Sequence, residues 1–402
     1  MQPALSGKCA EAGTGYKASS VQNIPYFRMY VRKILLRLHL ILGLGTGLLF
    51  FVIALSGALY TWEPEFSRLA YHQTVEAQDN PFVSISDLRH SLEKTFPEGD
   101  FRTALYRDPE SSIEVLLYAP GTYYLAQLNP YSAELIHLQD MNKGWINYLK
   151  KLHRNLLLGE LGREIVHWVT LLAILLVVSG LVIWWPAKGR PGRDKFFLKA
   201  TASAKKRNYD LHSVLGFYVS WVLVFALITG IYWGFSAVKE TIKLLSGENK
   251  IEWETPRSQV AARPVENDGI LDQLITDYRN TFPNSEVRIG IPHGEEDPIH
   301  LSVIDPGKGL TAINHYYHDQ YSGERIEGVF RNGLSSEIST FNAINGMVYE
   351  IHFGSILGLP GRILVCIAAL IAASLPITGL LVWLGKRKRK TIKPRFSNPN
   401  AS

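Results

Sequence analysis

Four long runs of apolar residues dominate the hydrophobic pattern of the chain. They cover about 38–61, 165–185, 212–235 and 361–384, and each contains at most an isolated polar or ionisable residue. A helix needs roughly 20 such residues to cross a bilayer. Between the first and second runs, and again between the third and fourth, apolar and polar positions alternate as they do in strands. The pattern therefore predicts a membrane α-helical protein with four transmembrane helices and two segments of mixed structure.

The chain contains two copies of one unit. Two stretches repeat without a gap, each with a histidine followed by glycines at fixed distances. The first match pairs Leu38, His39, Gly43 and Gly57 with Leu211, His212, Gly216 and Gly230. The second pairs His153, Gly159, Gly162, Arg163, Gly180 and Trp184 with His352, Gly358, Gly361, Arg362, Gly379 and Trp383. Internal duplication decides how the rest of the chain is divided, so we predict two membrane helices in each repeat.

The segments between the helices follow a common plan. In the first, a helix is predicted from about Ser86 to Lys94, followed by strands at 103–106, 113–118 and 123–128. In the second, a helix at 270–280 precedes strands at 287–291, 299–303 and 312–316. Turn residues separate the strands. Each repeat is therefore predicted to carry one α+β domain inserted between its two membrane helices, and an amphipathic helix bearing His153 leads back to the membrane.

Basic residues beside the apolar runs predict the topology. The formal net charge is +6, and Lys and Arg cluster before the first run, between the second and third, and after the fourth. The positive-inside rule places these flanks in the cytoplasm, and both α+β domains then lie on the other side of the membrane. Nucleic-acid binding is the alternative for basic clusters. Clusters that adjoin membrane spans are explained by topology and contact with membrane lipid, so no nucleic-acid partner is predicted.

Four histidines are the candidate functional residues. The topology puts His39 and His212 near the cytoplasmic face and His153 and His352 near the opposite face. A two-fold relation between the repeats would bring each pair together across the bundle axis, as bis-imidazole ligation of one iron requires. We therefore predict two haem b groups with these four histidines as iron ligands. Ordinary interfacial histidines are the alternative, and His167 is an alternative to His153 in the outer pair.

Neighbouring residues extend this prediction. Porphyrin faces need small neighbours, and the candidates to supply clearance are Gly43, Gly216, Gly159 and Gly358. Arg163 and Arg362 lie near the outer pair and could bind haem propionates or lipid phosphate. Another metal is disfavoured because no carboxylate or second histidine lies one turn from any of the four, as a zinc site would prefer.

Other chemistries lack the residues they need. The two cysteines, Cys9 and Cys366, lie in different regions and form no CxxC motif, which argues against disulfide, zinc and iron–sulfur sites. No HExxH motif, phosphate-binding loop or dinucleotide fingerprint is present. The cluster His315-Tyr316-Tyr317-His318 is interpreted as surface, with contact to a ferric ligand as the alternative. Hydrolase, ATP-driven and dinucleotide-dependent activities are therefore not predicted, and catalytic residues beyond the haem ligands are unknown.

The spans read Leu-His…Gly and His…Leu-Gly…Gly-Arg…Gly-Leu-x-x-Trp-Trp-Pro. Over about residues 30–388 these motifs resemble those of the PepSY-associated transmembrane family. Within it, the chain is similar to the ferrioxamine-type ferric-siderophore reductases of the bacterial inner membrane. The resemblance implies a haem-holding core of four helices, periplasmic PepSY-like domains and a ferric siderophore as substrate.

The expected division of the chain follows from these arguments. A disordered cytoplasmic leader is predicted at 1–28, which could also lie upstream of the natural start, because Met29 directly precedes the basic flank. Transmembrane helices are predicted at 29–62, 164–186, 211–235 and 361–385, periplasmic α+β domains at 63–163 and 236–360, a basic cytoplasmic loop at 187–210 and a basic tail at 386–402.

The function predicted is haem-dependent reduction of a ferric siderophore, which releases Fe(II). Electrons would come from a membrane quinol or a cytoplasmic reductant and cross the membrane through the two haems. Two alternatives remain: a non-enzymatic protein whose outer domains bind a peptide or a protease, and an iron-chelate permease. Both alternatives predict a protein without haem absorption bands.

Overall fold

The computed structural model describes residues 24–186, 189–198, 202–259, 268–305 and 313–391. Its helices are α1 (Ile24–Tyr60), α2 (Glu63–Tyr71), α3 (Ile85–Glu93), α4 (Trp145–Asn155), α5 (Gly159–Trp184), α6 (Ala204–Asp210), α7 (Gly216–Gly234), α8 (Ser236–Leu245), α9 (Asp268–Thr281), α10 (Thr340–Phe353) and α11 (Gly358–Thr391). Most of the predicted leader lies outside the described residues, but 24–28 begin α1 and are helical. The predicted tail is helical to Thr391, and the rest of it lies outside.

The described residues contain four helical stretches long and apolar enough to cross a membrane. They are Tyr30–Tyr60, Gly159–Trp184, Ala204–Gly234 and Ser355–Lys386, which confirms the four predicted spans. The third combines α6 and α7 with a π-helical turn at Leu211–Leu215 that contains His212. Single π-turns inside helices are frequent at functional sites.

The four spanning helices form a bundle with α1 and α7 at opposite corners. Both α5 and α11 pack against each of these two helices. Small and branched apolar side chains fill the middle: Ala173, Val219, Leu223, Leu227, Ala368 and Ala372. Small residues let membrane helices approach closely, so the centre of the bundle is apolar and tightly packed.

The strands form a single antiparallel sheet. They are β1 (Asp100–Tyr106), β2 (Ile113–Ala119), β3 (Thr122–Leu128), β4 (Leu135–Asp140), β5 (Glu286–Gly290), β6 (Ile299–Ile304) and β7 (Ile313–His318). In the described residues these make one seven-stranded sheet in the order β4-β3-β2-β1-β5-β6-β7. Strand β4 and helices α2 and α8 were not predicted from the sequence.

The two mixed segments meet in this sheet instead of forming separate ones. Strand β1 pairs with β5, from Thr103 opposite Gly290 to Tyr106 opposite Val287. Pairing the innermost strands removes two exposed edges, which are otherwise sites of unwanted association. Helices α3 and α9 cover one face and share a continuous core with both halves. The prediction of one α+β domain per segment therefore differs from the observed joint domain.

Helices α4 and α10 each turn sharply into the next membrane helix. At the turn after α4, Leu156 and Leu157 adopt left-handed φ angles of 52° and 61°. The close approach of the two helices leaves no room for a side chain at Gly162, where a Cβ would lie 1.8 Å from the Asn155 carbonyl oxygen. Gly361 has the same role after α10, at 2.1 Å from the Gly354 carbonyl oxygen. This explains why both repeats carry glycine there.

Candidate functional site

The structure brings the four predicted histidines together as two pairs. The ring centres of His39 and His212 are 6.4 Å apart, with an angle of 83° between the ring planes. Those of His153 and His352 are 6.1 Å apart, with an angle of 55°. Each pair takes one histidine from each repeat. We call them the inner pair (His39 and His212) and the outer pair (His153 and His352).

In the inner pair, both Nδ1 atoms face hydrogen-bond acceptors. The Nδ1 of His39 lies 2.9 Å from the Ser179 hydroxyl, which itself donates to the Leu176 carbonyl. The Nδ1 of His212 lies 3.0 Å from the Thr378 hydroxyl and 3.1 Å from the Leu375 carbonyl. The Thr378 proton is directed to a carbonyl of its own helix. Both rings therefore carry their proton on Nδ1.

The outer pair is held in the same way. The Nδ1 of His153 donates to the Ile53 carbonyl at 2.8 Å. The Nδ1 of His352 lies 2.8 Å from the Thr229 hydroxyl, whose own proton goes to a carbonyl one turn earlier. Nδ1 is again the protonated nitrogen. A neutral imidazole protonated on Nδ1 keeps the lone pair of Nε2 for another partner.

The Nε2 atoms of all four rings are free of hydrogen bonds within the described part of the chain. Metal-bound histidines usually donate their other ring N–H to a carbonyl or a polar side chain, which fixes the tautomer and the ring orientation. The hydroxyls of Ser179, Thr378 and Thr229 and the Ile53 carbonyl provide that support. The arrangement is the one a metal-binding imidazole requires.

The separation within each pair fits one iron between two imidazoles. A metal–nitrogen bond of about 2.0 Å, plus about 1.1 Å from nitrogen to ring centre on each side, gives ring centres about 6.2 Å apart. The observed 6.4 Å and 6.1 Å agree with this. No group of three or more His, Cys, Asp or Glu side chains suited to a metal occurs among the described residues. The pairing is observed, and iron binding at the pairs stays a prediction.

Each imidazole lies near a glycine of a neighbouring helix. A Cβ at Gly57 would lie 2.7 Å from His153, one at Gly180 3.3 Å from His39, and one at Gly379 3.1 Å from His212. At Gly230 it would meet Thr170 at 3.1 Å and His352 at 4.0 Å. These four glycines occupy matched positions of the sequence repeat and provide the space for the rings.

The four glycines that the sequence predicted to leave room for the porphyrin do not lie against the imidazole rings. A Cβ at Gly43 or Gly216 would make only ordinary contact with a leucine, and one at Gly159 or Gly358 would meet nothing within 4 Å. Gly159 and Gly358 have φ angles of 61° and 64°, so they serve the turns before α5 and α11. The predicted glycines are close to the histidines in sequence, whereas the glycines that contact the rings lie on other helices.

His167 does not join the outer pair. Its ring lies 6.0 Å from Phe235, against Gly234, and its Nδ1 is buried without a hydrogen-bond partner in the described residues. Its counterpart in the second repeat, Cys366, accepts a hydrogen bond from the Trp62 indole at 3.3 Å. The geometry favours His153 as the member of the pair.

The two arginines beside the outer pair are bound to acidic side chains. Arg163 forms an ion pair with Glu160 at 2.5 Å. Arg362 binds both carboxylate oxygens of Glu65 and the carbonyl of Thr61. Hydrogen bonding to Arg362 holds the pKa of the Glu65 carboxyl below its usual range. Arg362 thus connects α2 to α11, a role that the sequence did not indicate.

The histidine cluster of the sheet is more buried than the sequence suggested. His318 is 6% exposed; its Nδ1 donates to the Gly323 carbonyl and its Nε2 accepts from Tyr278. His300 and His315 stack with ring centres 5.0 Å apart, and burial lowers the pKa of His300 to about 4. The surface interpretation is wrong for His318. These contacts stabilise the sheet.

The sequence profile of the PepSY-associated TM region matches residues 36–386. The chain belongs to this family. The match covers all four spanning helices and the sheet domain between them, so this PepSY-associated protein is a membrane protein. No curated protein matches the chain.

Proposed function

We propose that this PepSY-associated protein carries electrons across a bacterial inner membrane through two b-type haems, and that it reduces a ferric siderophore to release Fe(II). The inner pair would hold one haem and the outer pair the other. Both termini would lie in the cytoplasm and the sheet domain in the periplasm, as the basic flanks of the spans favour. The electron donor would be a membrane quinol or a cytoplasmic reductant.

The observation that supports this proposal most strongly is the shared orientation of four imidazoles. All four direct Nδ1 to an acceptor and keep the Nε2 lone pair for a ligand. An ordinary interfacial histidine has no need of such support. The inner pair lies within membrane helices, where ionisable side chains are costly and usually functional. Two such pairs in matched positions favour a cofactor over four unrelated polar contacts.

Each part of the chain has a separate task in this proposal. Haem supplies reversible one-electron transfer when bound. The hydroxyls of Ser179, Thr378 and Thr229 orient the ligands, and the four glycines leave room for the rings. The apolar cluster between the pairs excludes water. From His39 to the level of Gly57, α1 rises about 27 Å, so the two pairs occupy opposite ends of the bundle.

The reductase can be tested by single-turnover oxidation. Purified protein is reduced with dithionite under anaerobic conditions, separated from excess reductant and mixed with a ferric siderophore. The haem bands should return to the oxidised form while a ferrous chelator captures one Fe(II) for each haem oxidised. The His352→Ala variant should lose this reaction, whereas His167→Ala should retain it. Reduced haem that persists in the presence of every ferric chelate would overturn the reductase and leave electron transfer intact.

A protein that only binds a peptide or protease is the second candidate. The family to which the chain belongs supports it, and so does the large seven-stranded sheet. Such a protein would be colourless when purified from cells supplied with haem. A permease is less favoured because the middle of the bundle is filled by apolar side chains.

A further inference from the structure

A cleft lies between the sheet and α4. Its volume is about 580 Å³, within the range of about 300–1,000 Å³ typical of small-molecule sites. Leu116 of β2 and Tyr123 of β3 form one wall, on the sheet face opposite α3 and α9. Asn147, Lys150 and Arg154 of α4 belong to the other wall. The cleft combines an aromatic and an aliphatic surface with polar and cationic groups.

Three cations of α4 line the cleft, and no acid does. They are Lys150, Lys151 and Arg154. Lys151 is half-buried and donates to Asn142, to its carbonyl at 3.2 Å and its amide oxygen at 3.3 Å. Lys150 and Arg154 are exposed and form no ion pair with any described residue. Uncompensated positive charge in a concave site attracts anions.

The second repeat provides an internal comparison. At the positions of α10 that match Lys150, Lys151 and Arg154, the chain has Tyr349, Glu350 and Phe353. Tyr349 and Phe353 stack there with ring centres 4.4 Å apart. The histidine is retained in both repeats, but the cations occur in one. Holding the outer pair therefore does not require them, and the positive-inside rule does not explain them on the side opposite the basic flanks.

The matching half of the sheet is covered by the chain itself. On β7, Tyr317 packs against Phe330 at 5.0 Å between ring centres. The backbone N–H of His315 donates to the carbonyl of Gly333. The segment that contains Phe330 and Gly333 thus lies along the edge of β7, and Phe330 packs on the face that corresponds to the cleft wall of β2 and β3. On the first half, the same face of β2 and β3 lines the cleft.

The cleft is also next to the outer pair. Lys150 and Arg154 lie three residues before and one residue after His153 on α4. Residues three apart on a helix have Cβ atoms about 5–6 Å apart. An anion held by these cations would lie one helical turn from the outer pair, on the side that faces the sheet.

We propose that this cleft binds the ferric chelate and selects chelates with net negative charge, such as those with carboxylate or catecholate oxygens. The inference rests on the proposed function, and it narrows the substrate from ferric siderophores in general to anionic ones. Lys150, Lys151 and Arg154 neutralise the chelate, while Tyr123 and Leu116 contact its organic part. A phosphate group of a lipid has similar oxyanion chemistry, so the test has to separate the two sources.

The test measures binding of gallium chelates, which have the charge and shape of ferric ones but do not accept an electron under these conditions. Full-length protein in nanodiscs of zwitterionic lipid is titrated with an anionic gallium tricarboxylate or triscatecholate and with a neutral gallium trihydroxamate. The variants are Lys150→Gln, Lys151→Gln and Arg154→Gln, singly and together. Lys143→Gln is the matched control, since Lys143 is exposed and outside the cleft, paired with Asp140.

Each cleft variant should weaken binding of the anionic chelate about tenfold, as expected for one lost charge-assisted contact. Lys143→Gln should bind like the parent, and the parent should bind the neutral chelate less tightly than the anionic one. Equal affinity for both chelates, or anionic binding unchanged in the triple variant, would overturn the proposal. The proposal would also be overturned if chelate binding were abolished when the protein is placed in nanodiscs of anionic lipid. The cleft would then be a site for lipid headgroups.

This readout does not depend on electron transfer. If the protein bound the anionic gallium chelate through the three cations but carried no haem, the cleft assignment would stand and the reductase would fail. If it carried two haems that a ferric siderophore oxidised, but bound the gallium chelates independently of the three cations, the reductase would stand and the cleft assignment would fail. Unchanged haem bands in the Gln variants confirm that the fold is intact.

Discussion

The inner and outer pairs have the same local chemistry but are built differently. Both inner histidines lie within spanning helices, His39 in α1 and His212 in the π-turn before α7. Both outer histidines lie on α4 and α10, short helices outside the spans that return to the bundle. The inner pair depends on the packing of long helices, whereas the outer pair depends on two sharp turns. The outer pair should therefore be the more sensitive to backbone changes.

The largest effects are expected from the histidines themselves. His212→Ala should remove the inner haem and His352→Ala the outer haem, because each leaves one imidazole where two are needed. Haem content per chain, measured by pyridine haemochrome, should fall by half in each variant. His167→Ala is the control and should keep the full content. Full content in His212→Ala or in His352→Ala would show that the altered residue is not a ligand.

The next largest effect is expected from the glycines at the turns after α4 and α10, which should affect the outer pair and not the inner pair. Gly162→Ala would place a Cβ 1.8 Å from a backbone oxygen, an overlap that the crossing of α4 and α5 cannot absorb. We expect a loss of stability of about 3 kcal/mol or more and loss of the outer haem. Gly45→Ala is the control, because a Cβ there meets nothing within 4 Å. Melting followed at the haem bands checks this, and equal melting of both variants would contradict it.

A smaller effect is expected where a glycine contacts a ring. Gly57→Ala puts a Cβ 2.7 Å from His153, so the ring must shift while the fold can remain. The outer haem should change its spectrum and reduction potential, and the inner haem should not. Potentiometric titration of the two components provides the measurement. A shift confined to the inner component would mean that the pairs have been assigned to the wrong spectral forms.

The hydroxyls that accept from Nδ1 should have a further, milder effect. Thr378→Val keeps the shape but removes the acceptor at 3.0 Å from His212, although the Leu375 carbonyl remains at 3.1 Å. Loss of such a supporting contact lowers metal-site affinity about 10–100-fold, and the remaining carbonyl favours the lower end. Haem transfer to apomyoglobin measures this. Thr46→Val, a threonine bonded within its own helix, should not accelerate transfer.

The smallest effect is expected at Glu65, outside the pairs. Its pKa is lowered by hydrogen bonding to Arg362, so its contribution to stability is present above the ordinary glutamate value of 4.5 and is lost as the pH falls through the lower folded value. Glu65→Gln should melt slightly below the parent at pH 7, and this difference should shrink as the pH falls from the ordinary glutamate value towards 3. A difference that persists unchanged at pH 3 would contradict the assignment.

The sequence predicted the bundle better than the sheet, for physical reasons. Apolar runs long enough to cross a membrane can form few structures other than a spanning helix. The repeat also indicated that His39 meets His212 and that His153 meets His352. Contacts between distant elements leave no local pattern. The pairing of β1 with β5, the glycines that face the imidazoles and the ion pair of Arg362 with Glu65 are all of this kind.

The sequence does contain one local pattern that marks the surroundings of the imidazoles. Gly57, Gly180, Gly230 and Gly379 belong to the matched positions of the two repeats, and each is preceded by a serine or threonine. Three of those hydroxyls, on Ser179, Thr229 and Thr378, receive an imidazole N–H. The fourth, on Ser56, donates to the Ile53 carbonyl that His153 binds. A hydroxyl beside a repeated glycine was thus a local indication of the residues that hold the imidazoles.

The central claim is that each histidine pair binds one iron through its two Nε2 atoms. Electron paramagnetic resonance of the oxidised, purified protein tests it most directly, combined with a haem count. Two haems per chain and two low-spin signals are expected. The signals should be distinguishable because the ring planes make angles of 83° and 55°. A high-spin spectrum, or a protein that stays colourless after expression with ample haem, would contradict it.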